Sequence, residues 1–96
     1  MKLALKVHDG DNIAILFSEE IGQGDMVEVL NKAGQKQTIK AASAIPYGHK
    51  IAVCPIAKDT VIYKYGESIG TASADISAGE HVHVHNLEST RGRGDL

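Results

Sequence analysis

Apolar and polar residues alternate with a period of two along much of the chain. Leu3, Leu5 and Val7 share one parity, and Asn12-Ile13-Ala14-Ile15-Leu16-Phe17 forms a second short apolar run after the turn-forming Asp9-Gly10-Asp11. Successive side chains of a strand point to opposite faces, so both stretches are predicted strands. Further strands are predicted over 25–30, 35–40, 50–54, 60–65 and 81–85. No window of 11 or more residues holds a helical apolar stripe with caps, so the expected class is all-β.

Three segments repeat one pattern. Ile21-Gly22-Gln23-Gly24-Asp25-Met26-Val27-Glu28-Val29, Ile45-Pro46-Tyr47-Gly48-His49-Lys50-Ile51-Ala52-Val53 and Ile76-Ser77-Ala78-Gly79-Glu80-His81-Val82-His83-Val84 each run Ile, two variable residues, Gly, two further residues, then β-branched, any, Val. This reads as a tight turn whose glycine takes a conformation costly for other residues, followed at once by a strand with one buried face. Ile56-Ala57-Lys58-Asp59-Thr60-Val61 is a fourth variant without glycine. Gly24 and Gly48 are 24 positions apart and Gly48 and Gly79 are 31 apart, so the repeat is too irregular for a solenoid and implies one fold reusing a turn. The alignment predicts that Val27, Val29, Ile51, Val53, Val82 and Val84 point inward. His81, His83 and His85 then share the opposite face.

With 96 residues there is one domain, expected over 1–87, and a tail over 88–96 that lacks a core-forming pattern. Hydrophobic residues make up 43% with no Trp, so the core must come from Val, Ile, Leu and Ala in thin layers rather than around a roomy cleft. Ten basic residues against twelve acidic give a net charge of −2, which offers no broad attraction to nucleic acid or an anionic membrane. No apolar run approaches the ~20 residues of a membrane span, and Lys6 interrupts the block a secretion signal would need. The single cysteine, Cys54, lies in an apolar run and is expected to be a small core residue, which with the absence of a signal implies a cytoplasmic location.

Chemistry concentrates in His81-Val82-His83-Val84-His85-Asn86, which holds three of the five histidines. On a regular strand three such imidazoles span ~13 Å at ~3.3 Å per residue, too far to share one metal ion without a bulge. Two of them, ~6.6 Å apart at the backbone, can converge on zinc, iron or manganese and leave room for other ligands. A solvated strand face is the alternative reading. His49 and Lys50, directly after Gly48, can bind a carboxylate or transfer a proton, or can be a solvated turn. Tyr65-Gly66-Glu67-Ser68-Ile69-Gly70 is followed by no helix, so it reads as a turn or β-bulge with close backbone approach rather than a phosphate loop. His8 reads as structural or exposed. Arg91 and Arg93 can bind carboxylates, and the Arg93-Gly94-Asp95 triplet has no adhesive meaning in a cytoplasmic protein.

Val7-His8-Asp9-x-Asp11-Asn12-Ile13-Ala14, Gly48-His49-Lys50-Ile51-Ala52, Lys64-Tyr65-Gly66-x-x-Ile69-Gly70 and Ala78-Gly79-Glu80-His81-Val82-His83-Val84-His85-Asn86 together resemble the SAF domain of the altronate and galactarate dehydratase family, including the small subunit of sulfolactate sulfo-lyase. The resemblance runs in order along nearly the whole chain. It implies a β-clip fold of short bent strands. It also implies a small subunit acting with a separate large catalytic subunit to eliminate water, or sulfite, from a hydroxycarboxylate, helped by a divalent metal, commonly iron, with manganese or zinc as alternatives. Carried over, the resemblance covers Gly48, His49, Lys50, Tyr65, Gly66, His83, His85 and Asn86: His83 and His85 are expected to bind metal or a substrate carboxylate, His49 and Lys50 to be catalytic, and Tyr65, Gly66 and Asn86 to bind substrate, with Arg91 and Arg93 of the tail added to the substrate-binding set from their own charge. A non-catalytic metal- or carboxylate-binding module, or one that drives homo-oligomer formation, is the competing expectation.

Overall fold

The alternating stretches become nine short strands in the computed structural model, which describes residues 2–89. They are β1 (Lys2–Lys6), β2 (Ile13–Leu16), β3 (Met26–Asn31), β4 (Lys36–Lys40), β5 (Lys50–Ala52), β6 (Val61–Lys64), β7 (Glu67–Ala72), β8 (His81–Val82) and β9 (Leu87–Ser89). No helix occurs among the described residues, and none is therefore long and apolar enough to cross a membrane. The all-β class read from the alternation is the observed one. Six strands form a sheet in the order β4-β3-β1-β2-β5-β8, with β1 and β3 parallel and the other neighbours antiparallel; β6, β7 and β9 form a second, antiparallel sheet.

Burial follows from the alternation, but on both faces of the central strands. Ala14 and Leu16 of β2 and Ile51 of β5 enter one core with Ala4, Val27, Val29, Ile39 and Ile45. Ile13 and Ala52, of opposite parity, enter a second core with Ile56, Ile62, Ala72, Ile76 and Val82, which lies toward the smaller sheet. Alanines at 4, 14, 52 and 72 are fully buried and let the layers approach closely, as the thin aliphatic core required.

The repeated turn is real and occurs four times. Backbone hydrogen bonds close Gly22 to Asp25, Pro46 to His49, Ala57 to Thr60 and Ser77 to Glu80, each 3.0–3.1 Å. The third residue of each has φ between 73° and 90°: Gly24, Gly48, Asp59 and Gly79. That left-handed φ belongs to position i+2 of a type II turn, which explains the glycines, and Asp59 adopts it in the variant that lacks one. The isoleucine heading each turn is buried and pairs with another: Ile21 bridges Ile45, and Ile56 bridges Ile76.

Several expectations need correction. Cys54 is exposed, because β5 ends at Ala52 and the chain bends into Pro55 before alternation could return the thiol to the core. Val84 is 80% exposed, since the predicted strand over 81–85 stops at Val82 and residues 84–86 turn. The strand β7 escaped prediction because its Ser, Gly and Thr residues carry little hydrophobic signal. Glu88 and Ser89, read as tail, belong to β9, and 90–96 lie outside the described residues.

The turn and bulge read at 65–70 are both present. Tyr65 and Gly66, with φ of 56° and 78°, are the two central residues of the β6–β7 hairpin, and its register shifts at Ile62/Tyr63. A Cβ on Gly70 would stand 2.2 Å from the Glu88 carbonyl oxygen, which is the close approach that excludes a side chain there.

Candidate functional site

Strands β5 and β8 are antiparallel, with Lys50 opposite Val82 and Ile51 opposite His81. The start of β5 therefore meets the end of β8, and His49 falls beside His83, one step beyond that register. His49 ends the Pro46 turn. In the turns beginning at Gly22 and Ser77, the fourth residue is Asp25 or Glu80, and its carboxylate accepts a hydrogen bond from the first residue's N–H at 2.8 and 2.9 Å. Proline has no N–H, so the turn makes no such demand on His49. Its imidazole instead reaches across to β8.

The result is a cluster of imidazoles. His49 Nδ1 and His81 Nε2 are 2.9 Å apart, a hydrogen bond whose donor depends on the tautomers. The His49 ring lies 4.7 Å from the His83 ring, and His81 and His83 stack at 5.5 Å with planes 10° apart. His49, His81 and His83 each offer one ring nitrogen, and the three nitrogens lie within 4.8 Å of one another. His85, exposed on the following turn, has its ring 5.4 Å from that of His81 but is not one of the three.

Alternation puts these rings on the face that carries Ile51, not on a solvent face, because β5 is apolar on both sides. Partial burial, followed by the neighbouring His49, His85, His83 and Lys50, holds His81 well below its ordinary value, down to about 4. His83 is also lowered, by desolvation and then His49, Lys50 and His85. At neutral pH His81 is thus an uncharged imidazole, the form that ligates a metal. Three neutral-capable nitrogen donors this close suit a divalent ion held at ~2.0–2.1 Å from each, and leave further coordination positions on the open side.

Asn86 holds the backbone beneath the rings. It is 3% exposed; its Oδ1 accepts from His83 N–H at 2.9 Å, and its Nδ2 donates to the His81 carbonyl at 2.9 Å and to Glu80 Oε2 at 3.4 Å. The His81 N–H donates to Ser43 Oγ at 3.0 Å.

Of the residues picked out in the sequence, His49 and His83 come together here, and His81 stands beside them where the resemblance had implied His85. Lys50 lies by alternation on the other face, where half-burial and then Lys64 lower its pKa; its charge is still felt by His81 and His83. Asn86 is committed within the protein. Tyr65 and Gly66 do not join the cluster. Their N–H groups, with that of His8, donate to the buried carboxylate of Asp11 at 2.9, 2.8 and 3.1 Å. Asn12 adds bonds to Val61 O and Tyr63 N, so Asp11-Asn12 fastens the β6–β7 hairpin to the main sheet. Arg91 and Arg93 lie outside the described residues. Sequence reasoning missed the Asp11 latch and His81; Pro46 ahead of His49 was the available signal for a histidine released from turn duty.

Residues 2–90 match the model of the family described as the altronate/galactarate dehydratase SAF domain. The chain is 42% identical over 85 residues to the altronate dehydratase of Escherichia coli K12, covering 88% of this chain and 16% of that protein. It is 39% identical over 89 residues to the altronate dehydratase of Bacillus subtilis 168, covering 93% of this chain and 17% of that protein. The chain thus spans about a sixth of the length of these two relatives. Against the (2R)-sulfolactate sulfo-lyase subunit alpha of Chromohalobacter salexigens it is 35% identical over 94 residues, covering 95% of this chain and 99% of the relative.

Proposed function

This chain belongs to the altronate/galactarate dehydratase SAF-domain family, and from that premise we propose that it is the small component of a lyase acting on a hydroxycarboxylate, contributing a divalent-metal site. The observation that carries the reading is the meeting of His49, from the turn leading into β5, with His81 and His83, at β8 and just beyond its end. The ligand set so proposed replaces the His83–His85 pair that the family resemblance implied.

Elimination of water from a hydroxycarboxylate needs a base for the weakly acidic proton alpha to the carboxylate, charge to stabilise the enediolate, and help for the departing hydroxyl. A divalent ion such as iron, manganese or zinc, when bound, would supply that positive charge. Within this chain, His49, His81 and His83 would hold the ion, and His85, exposed beside them, would give or take a proton. Lys50 adds cationic charge from behind the strand. The thin core leaves no enclosed substrate cleft among these residues, so substrate binding falls largely to a larger catalytic partner. The near full-length match to a subunit of sulfolactate sulfo-lyase supports the two-component arrangement, and with a sulfonated substrate sulfite would leave in place of water. A cytoplasmic setting suits this role.

Calorimetric titration of the purified chain with Fe2+, Mn2+ and Zn2+ should give one site per chain that His81→Ala abolishes. Mixing with the large catalytic protein should then yield dehydratase or sulfo-lyase turnover that neither component shows alone. A large component equally active without this chain would sink the catalytic role, and heat signals unchanged in His81→Ala would sink the metal site.

A further inference from the structure

Strand β8 is an edge strand of only two residues, yet the stacking of His81 and His83 requires residues 81–83 to stay extended, because only then do i and i+2 share a face. Glu80 and Val82 face β5: the Glu80 carbonyl accepts from Ala52 N–H at 3.0 Å, and Val82 is opposite Lys50. The N–H and C=O of His81 and the N–H of His83 point the other way, to the unpaired edge. One side-chain amide takes the His81 carbonyl and the His83 N–H together, as a residue of a neighbouring strand would.

We infer that Asn86 is the positioning residue of the histidine cluster, acting as a one-residue substitute for a missing strand. The inference rests on the metal reading above and deepens it. The comparison that isolates the point lies within the chain. At four places among the described residues a side chain three residues on accepts from a backbone N–H: Asp11 from His8, Asp25 from Gly22, Glu80 from Ser77, and Asn86 from His83, at 2.8–3.1 Å. Three of the four are carboxylates, which accept only. Asn86 is the amide, and its position is the one where a donor is needed as well, toward the His81 carbonyl and Glu80 Oε2. An aspartate at 86 would keep the bond to His83, lose the one to His81, and set a second carboxylate against Glu80. The expected consequence is a chain that folds but whose His81 and His83 rings no longer hold their separation.

The test is Co2+ titration by visible absorption and calorimetry on wild type, Asn86→Asp, Asn86→Ala, His81→Ala and Asn12→Ala, with thermal unfolding of each in chelator. Loss of a group that orients ligands from behind should weaken Co2+ binding about 10- to 100-fold in both Asn86 variants and shift the Co2+ absorption band, while cooperative metal-free unfolding persists. Asn12→Ala, which removes two hydrogen bonds to β6 and none to the histidines, should lower the melting temperature yet keep Co2+ affinity within about threefold. If Asn86→Ala binds Co2+ like wild type while His81→Ala does not bind, the positioning role is wrong and the metal site stands. If His81→Ala binds like wild type, the metal reading falls and takes the inference with it. Asn86 variants that are unfolded without metal also count against the proposal, since they would mark a residue needed for the fold rather than for the geometry of the rings.

Discussion

Replacing Asp11 by alanine should be among the most damaging single polar changes in this protein. The buried carboxylate accepts three backbone N–H groups, from His8, Tyr65 and Gly66. A hydrogen bond to a charged acceptor contributes about 1.5–3 kcal/mol, and stranding a buried donor costs about 1–3 kcal/mol. Tyr65 and Gly66 are exposed enough to recover water, so the three losses sum to about 3–4 kcal/mol rather than the full amount. Against a total of about 5–14 kcal/mol for 96 residues, that is a large fraction. Asp11→Asn keeps one acceptor oxygen and turns an NH2 toward a remaining donor, so about half the loss is expected. Urea unfolding should show the midpoint falling with an unchanged slope, and the melting temperature should drop about 12–25 °C for alanine. Amide exchange locates the effect: Tyr65 and Gly66 should lose protection before the β1–β3 core does. A loss under about 1 kcal/mol, or unaltered exchange at Gly66, would refute the latch.

Three other outcomes follow from the same structure. Gly79→Ala should destabilise far more than Gly24→Ala, although both have φ near 90°, because a Cβ at 79 meets the Lys40 carbonyl oxygen at 2.1 Å whereas at 24 it meets nothing within 4 Å; equal melting temperatures would contradict this. With metal chelated, the contribution of His81 to stability should be fully present well above its ordinary pKa of 6.5 and be lost as pH drops toward about 4, because the unfolded chain then binds a proton at His81 that the folded chain refuses; His81→Ala should flatten the decline between pH 7 and 5, and an unchanged slope would count against the neutral imidazole. Cys54, exposed on its bend, should react stoichiometrically with a thiol reagent in the folded chain, and protection until denaturant is added would return it to the core.

The sequence by itself determined the all-β class, the repeated turn and most strands, because period-two alternation and a left-handed turn position are local demands that leave residue-by-residue marks. Even Asp59, standing where glycine stands in the other turns, was legible as the fourth copy. Local patterns also singled out the histidine-rich stretch and His49, which the fold brings together. What they could not supply was the partnership. A regular strand from 81 to 85 would have pointed His83 and His85 together and hidden Val84; the turn at 84–86 and the buried amide of Asn86 ended that strand after Val82. Nor could alternation reveal that β2 and β5 are covered on both faces, which is why the face opposite Val82 is semi-buried and His81 resists protonation. The tertiary structure alone decided that His49, 32 residues before His81, completes the group, since only the antiparallel pairing of β5 with β8 brings the start of one strand to the end of the other.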